Sequence, residues 1–113
     1  MEEILEQATK LGKLIAQDPR AQSMAAAQKA LEQSSEDRQL LTDYEDRQQK
    51  IALLEQQGKP IEPEDKVKLA DLHQSVIASQ VIKDLLKAQA DYIELMTAVS
   101  GCVESQAMER SDS

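Results

Sequence analysis

The stretch from Ser79 to about Val103, SQVIKDLLKAQADYIELMTAVSGCV, constrains this chain more than any other part of it. On a helix at ~100° per residue, Ile82, Leu85, Leu86, Gln89, Tyr92, Ile93, Met96, Val99 and Val103 fall within one arc of ~140°. Leu95 and Cys102 sit just outside that arc, and Lys83, Lys87, Asp91 and Glu94 occupy the far side. An apolar arc this wide needs cover from more than one neighbouring helix.

The remaining sequence offers helices to supply some of that cover. There is no Trp or Phe, and Tyr44 and Tyr92 are the only aromatic residues, so a core must come from Leu, Ile, Val, Ala and Met. Ala and Gln are abundant while Gly and Pro are rare, which favours helix throughout. The β-branched runs and regular turn signals of a sheet protein are missing.

Helix boundaries can be read from caps. A first helix, about Glu2 to Gln17, is expected to bury Ile4, Ala8, Leu11 and Ile15. Asp18-Pro19 reads as the N-cap and first residue of a second helix, which presents Ala21, Met24, Ala25, Gln28 and Leu31. Ser34 followed by Glu36 and Asp37 starts a third, running to about Gln57 and burying Leu40, Leu41, Tyr44, Ile51 and Leu54. Gly58 ends it, and the one long loop spans Gly58 to Glu62. Pro63 opens a fourth helix presenting Leu69, Leu72, Val76 and Ile77.

The apolar stripes do not run on from one helix to the next. Treated as continuous helix, the arc jumps by roughly 130° at Asp18, 160° near Ser34 and 155° near Ser79. Either the chain bends at each joint, or an unbroken helix turns another face to a second core, as in an intertwined oligomer.

Charge and residue usage narrow the function. The formal net charge is −8 and the bases are scattered among acids, so no basic patch for nucleic acid is expected. A single cysteine makes no intramolecular disulfide or metal cage. The first residues, MEEILEQ, lack the basic start and apolar run of a signal peptide, and no apolar run approaches ~18 residues. These features point to a cytoplasmic protein with no membrane span.

Three segments, LGKLIAQDPRAQSMAAAQKALEQ, SSEDRQLLTDYEDRQQKI and GKPIEPEDKVKLADLHQSVIASQVIKDLLKAQADYIELMTAV, share a pattern of caps and apolar positions. In that order they cover nearly the whole chain, which resembles the YlbF/YmcA (and YheA-like) group of small helical bacterial regulators. The resemblance implies an all-helical, oligomeric, cytoplasmic protein without enzymatic activity. For the best-known members it implies regulation of cell-fate programmes in a complex that directs RNA processing. Some members of that complex carry cysteine-bound iron–sulfur clusters. This sequence departs there, since Cys102 is its only cysteine and no cysteine-rich tail follows.

No residue group converges on a reaction. Cys102, beside Gly101, reads as a small, partly buried apolar residue rather than a redox group. His73, between Leu69 and Ile77 on one helix face, reads as an amphipathic ring at a helix contact. Glu62, Glu64 and Asp65 suit the positive end of the fourth helix, and the calcium-loop spacing is absent. Glu36, Asp37, Asp43, Glu45 and Asp46 read as a solvated face, with Arg38 and Arg47 as weak partners. No phosphate-cradling glycine loop or nucleophile–base pair can be read.

The expectation is an all-α chain: an antiparallel bundle of about five helices with a long C-terminal helix, intertwined in an oligomer. Residues 1–107 form one domain, and residues 108–113 are a frayed polar tail. No metal or cofactor is expected. The function expected is that of a non-enzymatic adaptor or regulator, working through protein–protein contacts in a complex that influences RNA processing or cell fate. The alternative is a coiled-coil structural or chaperone-like protein without a dedicated partner. The partners expected are further copies, in a homo-dimer or higher oligomer, and a regulatory protein, with no direct nucleic acid and no membrane. Leu86, Ile93 and Met96 are assigned to the oligomer contact, with Tyr92 and Leu85 turned towards the chain's own helices.

Cys102→Ser should leave the melting temperature within a few degrees, because a substitution at a stripe's edge costs well under ~1–2 kcal/mol. Purified wild-type protein carrying stoichiometric iron would contradict this view of Cys102.

Overall fold

The computed structural model describes residues 1–109. They form α1 (Glu2–Gln17), α2 (Pro19–Glu32), α3 (Ser35–Gln56), α4 (Pro63–Ala78) and α5 (Gln80–Glu109), with no strand among the described residues. The fold is all-α. Helix α5 runs on through Ala107, Met108 and Glu109, beyond the point where the sequence places a polar tail. The rest of that tail, residues 110–113, lies outside the described residues.

Each joint where the apolar arc jumps is a break of the helix at one extended residue. Asp18 has φ −70° and ψ 138°, Ser34 φ −116° and ψ 93°, and Ser79 φ −79° and ψ 119°. In all three the backbone N–H donates to the carbonyl three residues back, in Ile15, Leu31 and Val76. Each side chain then caps the following helix. Asp18 accepts from the Arg20 N–H at 2.8 Å, Ser34 from the Asp37 N–H at 3.3 Å, and Ser79 from the Ile82 N–H at 3.2 Å. Of the two alternatives left open by the sequence, the chain takes the first and bends.

The α3–α4 connection works differently. Gly58 has φ +68°, a conformation that strains any L side chain, and its N–H donates back to Glu55. Pro63 occupies the start of α4, where its missing N–H costs nothing.

The chain divides into two compact units, Ala27–Leu85 and Met1–Ala26 together with the chain from Leu86 onward. In the first, α3 and α4 pack as an antiparallel hairpin. Tyr44 hydroxyl and His73 Nδ1 lie 3.1 Å apart, with ring centroids at 5.9 Å, so His73 does sit at a helix–helix contact. Leu40, Leu41, Tyr44, Ile51 and Leu54 of α3 are half-buried, as are Leu69 and Leu72 of α4. Ala27, Val76, Ile82 and Leu85 are buried, and Ile77 is exposed. Among the described residues Ile82 is the one fully enclosed large side chain, a burial that contributes about 1.5–3 kcal/mol.

The two serine caps of this unit meet at one carboxylate. Asp37 Oδ2 accepts from the Ser34 hydroxyl at 2.6 Å, and Asp37 Oδ1 accepts from the Ser79 hydroxyl at 2.8 Å. The N-terminus of α3 and that of α5 are therefore tied across the hairpin.

In the second unit, Ala88 is buried, while Ala21 and Met24 of α2 and Tyr92, Leu95, Met96 and Val99 of α5 are half-buried. Arg20 pairs with Asp18 at 3.0 Å, and Asp91 and Glu94 of α5 act electrostatically on it. Helix α1 departs from expectation. The sequence assigns Ile4, Ala8, Leu11 and Ile15 to a core, yet no residue of α1 is buried and only Ile15 is half-buried. A stripe shows which side of a helix needs cover, not that its own chain supplies it.

Ser34→Ala and Ser79→Ala should each cost about 1 kcal/mol in urea unfolding, the usual loss for a serine cap. Their effects should not add in the double variant, because both hydroxyls donate to Asp37. Strict additivity would contradict the linked caps.

Candidate interaction surface

Among the described residues no buried side-chain polar atom of the α3–α4 hairpin lacks a hydrogen-bond partner. Asp65, at the start of α4, is buried, and its Oδ1 accepts from Arg47 at 2.5 Å and from Lys50 at 3.0 Å. Neither Asp65 as a buried acceptor nor Arg47 as its partner is read from the sequence, which places Asp65 at the positive start of α4 and Arg47 as a weak partner on a solvated face. The correction comes from pairing in three dimensions, since a buried carboxylate persists only with its charge met. Lys50 donating to Oδ1 is the main cause that holds the Asp65 carboxyl below the usual carboxylate range, with Arg47 adding to it. Asp37 is likewise lowered, first by the Ser34 hydroxyl and then by that of Ser79. It is half-buried, not part of a solvated face.

Beside this pair lies a polar hollow lined by Asp43, Asp46, Lys68, Asp71, Leu72 and Ser75. Acids and bases alternate there without a nucleophile aligned on a base. Cys102 is an exposed free thiol, where the sequence suggests partial burial. The edge of a stripe becomes solvent when no second helix reaches it. Among the described residues, no three His, Cys, Asp or Glu side chains come together as a metal-binding group. A lone thiol does not fit an iron–sulfur cluster held by one chain. No described helix is long and apolar enough to cross a membrane.

What stands out is apolar surface. The residues assigned to the oligomer contact fall on two sides of α5. Leu85 is buried, and Tyr92 and Met96 are half-buried. Leu86 and Ile93, about 100° further round the helix, are 53% and 62% exposed. Within the second unit Ile93 joins Met96, Thr97, Ser100, Gly101 and Glu104 around a shallow hollow. Small side chains beside Ile93 let another helix approach closely. The sequence puts Leu85 and Leu86 in one arc; it does not reveal Ala88 and Ala27 as buried contacts, because alanine carries little weight in an apolar pattern.

The fold and surface define a small all-helical protein in which, among the described residues, no catalytic constellation converges. The family described as control of competence regulator ComK, YlbF/YmcA, matches residues 4–106, and the chain belongs to that family. It is a family of regulators rather than of enzymes. No curated protein matches the chain.

The lowered carboxyls set the direction of the pH response. A depressed folded-state pKa means the unfolded chain binds more protons below its own value of about 3.9. Stability from Asp37 and Asp65 is therefore complete above about pH 4 and is lost as pH falls through the folded values. Asp37→Asn/Asp65→Asn should be less stable than wild type at pH 7, and the gap should narrow towards pH 3 in urea titrations. A gap that stays constant or widens on acidification would contradict these assignments.

Proposed function

We propose that the chain is a non-enzymatic regulator that works through protein–protein contacts, and that the outer stripe of α5 is its principal contact surface. The observation that carries this reading is the exposure of Leu86 and Ile93 on a helix whose other side is already covered. Apolar surface grouped in this way on a small domain favours a second chain. A copy of the same helix across a two-fold axis is the simplest cover, with Leu86, Ile93 and Met96 at the contact and Leu85 and Tyr92 turned inward. Family membership supports regulation in competence control; action in a cytoplasmic complex that influences cell fate through RNA processing is part of the proposal. The net charge of −8 argues that any RNA is reached through a partner.

Ile93→Asp tests the reading, because an exposed residue can be changed without disturbing the single chain. By light scattering the wild type should be oligomeric and the variant should lose mass while staying helical. A monomeric wild type or an unchanged variant would contradict the α5 contact. In co-purification from native extract, wild type should retain a stoichiometric partner that depends on the assembly. A broad spread of unfolded clients would favour a chaperone-like protein instead.

A further inference from the structure

We draw no further inference here: the strongest candidate, the largely apolar groove of the α3–α4 hairpin beside the Tyr44–His73 contact, with Ile51, Ile61 and Leu69 along it, is an unpartnered face, and nothing in the structure shows what covers it.

Discussion

One carboxylate holds the starts of α3 and α5 in place. Asp37 accepts the hydroxyls of Ser34 and Ser79, while each serine oxygen accepts a backbone N–H of the helix it caps. Five polar groups that would otherwise compete for water, the carboxylate, two hydroxyls and two backbone N–H groups, are satisfied at one point, near the positive ends of two helices. The arrangement places a bend in each strand of helix at the same level. Ile82, three residues after Ser79, is enclosed completely just below it. The break in apolar phase, the caps and the local core are consequences of the same junction.

Asp65 plays the matching part near the far end of the hairpin. Its buried oxygen meets Arg47 and Lys50 of α3 and fixes the start of α4 against them. Between the two junctions, Tyr44 and His73 touch across the helices. The hairpin thus has polar pins at Asp37, Tyr44 and Asp65 with modest apolar packing between them. That suits a sequence with no Trp or Phe, which builds contact area from alanines and aliphatic side chains. It also leaves α1 and the outer side of α5 with apolar surface that the single chain does not cover.

The helices were legible because their boundaries are local. Asp18-Pro19, Ser34 and Pro63 each announce a start within a few residues, and the phase jumps mark the joints. The limits of α1 and α4 follow directly. Which stripes are covered was not legible, because cover comes from residues distant in sequence. Ile4 and Leu11 carry the same signal as Leu69 and Leu72, yet only the latter pair gains a neighbour. The α5 arc was one wide stripe in sequence. Burial separates it into Leu85 on the inside and Leu86 with Ile93 on the outside. The tie from Asp37 to Ser79 spans 42 positions, and no local pattern encodes it.

The central claim is that the exposed apolar face of α5 is a contact surface of an assembly. Backbone hydrogen exchange across a dilution series tests it most directly. In a single chain, the α5 amides on the side of Leu86 and Ile93 have no burial to protect them beyond the helix itself. The account predicts that amides of α5 beyond Leu86 are protected at high concentration and lose that protection on dilution, while the α3–α4 hairpin stays protected throughout. Protection of α5 beyond Leu86 that is the same at every concentration would contradict it.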